Sequence, residues 1–434
     1  MTSQTQYSFS SYEEALTLAA RASKVFQPRS PITTKDLFAG RWNELIKISD
    51  AVHQPGLHVV IYGERGVGKT SLANVVRPTI RALDTVGRGE EETTTAPHER
   101  LVIKSIGTTG DTFSMIWDKL LSEITWPVDG IIGLVNGHKT ITTREAFSYE
   151  GDFTVDAVRR ILSSLRGSVF IIDEFDRTTE GASKEFTDLI KSLSDLVIDC
   201  TVILVGVSET VGSLVADHAS ISRALVQIPL PRMNTDELRA ILTNAEKSLG
   251  ITFAGDAANL IVHVSQGLPH YTHLLGLHAV RNAASADRQS RLIERTDVLQ
   301  ALKNAVKEAA QTVTQKHSTA THSSHKDALY RQVLLACALA AACSHDALGY
   351  FNPGEVVAPL ARILGRDVSI ATFTNHLSEF SQDKRGSVLE KDGQPWGFRY
   401  RFHDPLLVPF TFMNAVDTGL MDGESLVQAL DEHV

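Results

Sequence analysis

The stretch Leu57–Leu72, LHVVIYGERGVGKTSL, limits the folds open to this chain more than any other. Val59, Val60, Ile61 and Tyr62 form an apolar, largely β-branched run that reads as a buried strand. A turn, Gly63-Glu64-Arg65-Gly66-Val67-Gly68, follows and leads into Lys69-Thr70-Ser71 at the start of a helical pattern. The spacing is G-x-x-x-x-G-K-[ST], in the strand–turn–helix setting that the pattern needs. Glycines at 63, 66 and 68 let the backbone fold tightly, so that amide groups point inward at phosphate oxygens. The N-terminus of the following helix adds its positive dipole end. Lys69 is expected to reach the β- and γ-phosphates, and the Thr70 hydroxyl to ligate Mg²⁺. The expected ligand-binding run is therefore Gly63, Glu64, Arg65, Gly66, Val67, Gly68, Lys69, Thr70 and Ser71.

A strand that feeds a helix in this way belongs to an alternating α/β fold, and the downstream pattern continues the alternation. Leu101–Ile106 reads as a second buried strand and Phe153–Arg166 as an amphipathic helix. Ser168–Ile172 is a strand with four apolar residues, Val169–Ile172, that ends in Asp173-Glu174. Such a strand delivers two carboxylates to the sheet's C-terminal edge, where α/β sheets bind ligands. Asp173 is the expected holder of the metal's water shell. Glu174 is expected to orient the attacking water, since phosphoryl transfer depends on positioning and electrostatics. Asp199–Ser208 and Ala224–Ile228 complete a set of five strands. Asp84–Arg100 reads as an acidic loop, and Trp126–Phe153 as an insertion with a hairpin.

Composition sets outer bounds. A chain of 434 residues, 43% hydrophobic, has core enough for two or three domains. The formal net charge of −9 gives no whole-molecule attraction to nucleic acid, so any DNA contact needs a local basic patch. Three cysteines without a C-x-x-C pair suit reduced thiols, and the N-terminus does not read as a signal peptide; both point to the cytoplasm. The apolar run Val333–Cys343 is too short to span a bilayer, so no membrane is expected.

Several short motifs carry a resemblance to AAA+ and STAND-type P-loop ATPases. Phe38-Ala-Gly40-Arg41-Trp-Asn-Glu-Leu45 resembles their entry motif, which packs beside the adenine, and this implies a role for Gly40 and Arg41. The polar end of the fourth strand resembles the sensor position, with Ser208 as the residue reading the γ-phosphate. Arg223, just before the fifth strand, sits where those families carry an arginine finger that reaches a neighbour's nucleotide. Gly267-Leu268-Pro269 resembles the STAND turn whose proline backs the base, with His270 beside it. Phe402-His403-Asp404 resembles the Met-His-Asp motif of NB-ARC switches, which implies a contact from His403 to the β-phosphate of ADP. In layout the chain is similar to origin-recognition and archaeal initiator ATPases. The resemblance implies an AAA+ P-loop parallel five-stranded sheet with a helical lid, followed by a winged-helix domain. It also implies ATP/ADP and Mg²⁺ as cofactors, slow ATP hydrolysis, homo-oligomerisation on ATP binding and an effector protein as partner, in signalling or phage defence.

The expected division is an N-terminal extension (1–35), a P-loop core (36–231), a helical lid (232–313), a linker (314–326) and a winged-helix domain with a tail (327–434). The linker expectation rests on the polar, low-complexity run QKHSTATHSSHK, whose histidines read as solvated. In the last domain three helices precede two short strands, with Thr372–Ser381 in the recognition position. Lys384, Arg385, Lys391, Arg399 and Arg401 lie in and around the hairpin. They supply the alternative expectation, DNA docking by an initiator-like or transposition-regulator ATPase.

Overall fold

The computed structural model describes residues 12–34, 38–86, 100–127, 140–208, 211–215, 218–285, 290–325, 328–343, 349–394 and 397–431. In chain order come α1 (Tyr12–Val25), α2 (Trp42–Val52), β1 (His58–Gly63), α3 (Lys69–Val86), β2 (Val102–Ile106) and α4 (Phe113–Ser122). The short strands β3 (Thr125–Pro127) and β4 (Thr140–Thr142) and the turn-length α5 (Thr143–Ala146) follow. Next are α6 (Val155–Ser164), β5 (Ser168–Asp173), α7 (Glu180–Asp195), β6 (Cys200–Val207), α8 (Val211–Leu214) and β7 (Leu225–Pro229). Beyond these lie α9 (Thr235–Leu249), β8 (Thr252–Phe253), α10 (Gly255–Ser265), α11 (Pro269–Ala283), β9 (Leu292–Ile293), α12 (Arg295–Glu308) and α13 (Gln311–Thr321). The chain closes with α14 (Tyr330–Cys343), α15 (Pro353–Leu364), α16 (Thr374–Phe380), β10 (Leu389–Asp392), β11 (Arg399–Phe402), α17 (Leu407–Asp417) and α18 (Gly423–Asp431).

Two compact units divide these elements. One is Pro31–Glu64 with Gly68–Pro231; the other is Met1–Ser30, Arg65–Val67 and Arg232–Val434. The first is an α/β unit around a five-stranded sheet of order β2-β5-β6-β1-β7. Its four pairings are all parallel. β5 is buried along its whole length, as expected of a central strand covered on both faces. Beneath one face, Phe113, Trp117, Phe170, Phe175 and Phe186 stack and edge against one another, with ring centroids 5.1–6.2 Å apart. Side-chain caps set the helix starts: Thr112 accepts from the Met115 amide and Thr179 from the Ala182 amide. β3 and β4 pair antiparallel, Thr125 opposite Thr142, so the expected hairpin has its base here. Residues 128–139 of that insertion, and most of the expected acidic loop, lie outside the described residues.

The second unit is helical, with two small ladders: β8 beside β9, and the antiparallel pair β10–β11. Its α9 opens with a reciprocal capping box between Asn234 and Glu237, and its α15 with one between Asn352 and Glu355. The linker expected at 314–326 is corrected by α13, which runs through Thr321 with Val313, His317, Ala320 and Thr321 buried. These positions recur at helical spacing, and the His317 ring meets Phe410 edge-on at 5.2 Å. His317 is therefore a core residue. The recognition segment expected at 372–381 is a single 3-10 turn, Ile370–Thr372, followed by the seven-residue α16.

Candidate phosphate-binding site

The glycine-rich turn leaves β1 at Gly63, whose φ is +152°. A Cβ there would lie 2.3 Å from the Leu230 carbonyl oxygen, so the close approach of the two backbones excludes every other residue. Gly66 and Gly68 also have positive φ. Lys69 is buried, and its ammonium donates to the carbonyl oxygens of Gly63 (2.9 Å) and Glu64 (2.6 Å). It thus spans the turn that its own helix opens from. Thr70 follows, with its hydroxyl 3.4 Å from Asp173 Oδ1.

β5 ends at Asp173, which is 3% exposed. Its Oδ1 also accepts the Glu174 amide at 3.0 Å, while Oδ2 pairs with the Lys104 ammonium at 2.8 Å. Lys104 comes from β2, the strand next to β5, and donates in addition to Asn74 Oδ1 at 2.6 Å. Thr70 and Asn74 stand one turn apart on α3 and share a face, so one helix meets both ends of the Asp173–Lys104 pair. Glu174 takes a left-handed conformation (φ 52°, ψ 38°), and its carboxylate is held by Arg177 at 2.6 Å. Arg177 also lies 3.5 Å from the Thr109 hydroxyl. Asp176 accepts the Val207 amide at 2.8 Å, tying the end of β6 to the turn after β5.

The structure thus brings together Gly63, Lys69, Thr70, Asp173 and Glu174 from the sequence expectations. It adds Lys104, Asn74 and Arg177, which the sequence reading missed. The signal for Lys104 was present: it is the one charged residue in the strand Leu101-Val-Ile-Lys-Ser-Ile106. A hydroxyl and a carboxylate at the C-terminal edge of a parallel sheet form an oxygen donor set that suits a hard cation such as Mg²⁺. Among the described residues there is no cluster of three or more His, Cys, Asp or Glu side chains that could hold a metal on its own.

The other expected residues have the following places. Gly40 and Arg41 both have positive φ at the start of α2, and Arg41, 4% exposed, donates to the Pro231 carbonyl and pairs with Glu44. Ser71 accepts the Ile32 amide at 3.1 Å, and Asn74 reaches the Ile32 carbonyl, so α3 holds the entry segment. The Ser208 hydroxyl meets that of Ser213; the two residues after Ser208 are outside the described set. Arg223 is exposed in the turn before β7.

In the helical unit, Gly267 (φ +75°) allows a turn whose carbonyl accepts the Met233 amide, and Pro269 starts α11. His270 is part-buried with Nδ1 2.7 Å from the Pro28 carbonyl, which fixes a proton on that nitrogen. Burial pulls its pKa below the usual histidine value, with this bond opposing. Asp404 is buried and pairs with Lys316 (3.1 Å) and with Arg65 (3.4 Å), which groups with this unit. Its other oxygen accepts the Leu406 amide, and the Tyr271 hydroxyl donates to the Leu406 carbonyl at 2.6 Å. His403 lines an open cavity of about 450 Å³ with Ser378, Ser381, Gln382 and Ser387.

Such a loop, helix and paired strand ends define a P-loop NTPase. The chain belongs to the family Novel STAND NTPase 1, whose model matches residues 29–342. No curated protein matches the chain. Among solved structures, the Aeropyrum pernix ORC2 protein is similar in layout at 14% identity and a TM-score of 0.47, covering 94% of this chain and 96% of that one. A Walker-type ATPase of Pyrococcus abyssi is similar at 15% identity and 0.47, covering 89% and 99%. The Thermotoga maritima RuvB branch migration motor is similar at 18% identity and a TM-score of 0.41, covering 84% and 93%. No helix among the described residues is long and apolar enough to cross a membrane.

Proposed function

We propose that the chain is an ATP-binding, slowly hydrolysing molecular switch whose oligomeric state follows the nucleotide. One observation carries this reading: Lys69 and Thr70 of the turn and Asp173 of β5 converge at one sheet edge, with Glu174 next in line. In the proposed cycle the loop amides and Lys69 hold the β- and γ-phosphates. Thr70 would ligate Mg²⁺ and Asp173 would hold its water; the ion supplies neutralisation of the developing phosphate charge. Glu174 would leave Arg177 to orient the attacking water. Ser208 is proposed to sense the γ-phosphate, and Arg223 to reach a neighbouring subunit's nucleotide. Gly40, Arg41, Pro269 and His270 are proposed around the base, and His403 as a contact favouring ADP. Signalling or defence through an effector protein is the context proposed for such a switch.

DNA docking gains no support from the hairpin. Arg399 pairs with Asp392 at 2.7 Å and Arg401 with Glu390 at 2.6 Å. Arg385 and Lys384 face Glu379, and Lys391 lies over the Phe398 ring at 3.5 Å. Each cation in the expected basic patch is already engaged within the unit, and phosphates would have to displace those partners.

The test is calorimetry of ATP and ADP binding with magnesium present. Wild type should bind both. Lys69→Ala should lose about ten- to a hundredfold, since a charge-assisted contact to phosphate contributes about 1.5–3 kcal/mol. Unchanged affinity in Lys69→Ala would rule out this loop as the phosphate site.

A further inference from the structure

In P-loop sites generally, an acidic side chain near the phosphates carries a charge that repels them until a divalent cation intervenes. In this chain that acid, Asp173, has a built-in cation. Lys104 Nζ sits 2.8 Å from Asp173 Oδ2 and is held from the other side by Asn74 Oδ1 at 2.6 Å. Asp173 is almost wholly shielded from solvent and Lys104 is 23% exposed, so the pair is weakly screened. The other carboxylate oxygen faces Thr70 and the Glu174 amide. Lys104 and the Thr70 hydroxyl therefore address different oxygens of the same carboxylate, and a metal held by Thr70 would be served from the side away from Lys104.

We infer that Lys104 is a resident counter-ion for Asp173, a positioning residue that lets this site bind nucleotide with little help from Mg²⁺. The inference rests on the nucleotide reading above and adds to it. With Lys104 in place, the carboxylate and ammonium cancel, and the phosphates meet Lys69 and the loop amides without opposition. Without Lys104, the uncancelled carboxylate repels a metal-free nucleotide, and only Mg²⁺ restores binding. Asn74 keeps the ammonium from leaving with the incoming anion: it fixes Lys104 through α3, the helix that starts at the phosphate loop.

The experiment measures ADP affinity of wild type, Lys104→Met, Asp173→Asn and the double variant, each with excess Mg²⁺ and with excess chelator. For wild type the two affinities should agree within about fivefold, while Lys104→Met should lose about tenfold or more in chelator only, the scale of one uncancelled charge at a part-screened site. The double variant should recover metal-free ADP affinity relative to Lys104→Met, since the charge that Lys104 cancels is gone. Lys104→Arg should keep the wild-type ratio. If the methionine variant does not fold, Lys104→Gln keeps a donor for Asn74 without the charge and should show the same selective loss. Equal metal dependence in wild type and the uncharged Lys104 variants overturns the inference alone. Equal loss with and without metal also overturns it, because a merely structural lysine would behave so. Failure of wild type to bind ADP with Mg²⁺ overturns the nucleotide reading and this inference with it.

Discussion

At Glu174 the backbone turns left-handed directly after a fully buried strand, a conformation that costs a non-glycine residue about 1 kcal/mol or more. The turn lets the Glu174 amide bond back to Asp173 while its carboxylate swings out to Arg177. Two neighbouring acids thus acquire different tasks: one buried and paired, the other half-exposed and movable. Glu174→Gln should keep ATP bound and cut hydrolysis by at least about a hundredfold, the usual range for a lost general base. Phosphate release under single-turnover conditions measures this, and hydrolysis at the parent rate would remove Glu174 from the mechanism. The Glu174–Arg177 pair is about half exposed on both sides, so it holds the carboxylate weakly. Arg177→Ala should accordingly change the hydrolysis rate by less than about fivefold.

Among the elements, the five strands of the main sheet and the phosphate turn were legible in the sequence, because their signals are local. Val59–Ile61 and Val169–Ile172 are apolar runs that only a covered sheet tolerates, and the glycines mark the turn between strand and helix. α13 was not legible. Its polar run QTVTQKHSTAT hides a buried face made of Val313, His317 and Ala320, and a histidine joins that face only when a partner such as Phe410 exists elsewhere in the chain. The Lys104–Asp173 pair was hidden for a similar reason: strand adjacency, not sequence spacing, brings them together. His317 gives the α13 account a test. Burial, with the Arg331 charge adding, pushes its pKa down to about 4 from 6.5. The fold therefore binds fewer protons than the unfolded chain between those values; this stability is complete above pH 6.5 and falls as pH drops toward 4. From pH 7 to 5 the wild type should lose about 2 kcal/mol more than His317→Leu, read from denaturant unfolding at each pH. Parallel losses in the two proteins would return His317 to solvent.

For the whole molecule, the proposal joins a phosphate site built on one sheet edge to a change of assembly. Arg223 is the residue proposed to cross between subunits, and its exposure before β7 leaves it accessible to a neighbour. Arg223→Ala should leave ATP affinity within about threefold of wild type and lower hydrolysis by about tenfold or more, since a finger stabilises only the transition state. Mixing it with Glu174→Gln should restore part of the activity, because each variant damages a different half of a shared site; no recovery at any ratio would make Arg223 a surface charge. The most direct measurement is the mass distribution of Glu174→Gln protein in ATP and in ADP, at equal concentration, by mass photometry. The account predicts oligomers in ATP and a shift to smaller species in ADP, because a ligand moves an equilibrium only through its different affinity for the two states. The same distribution in both nucleotides, with binding of each verified by calorimetry, would contradict it.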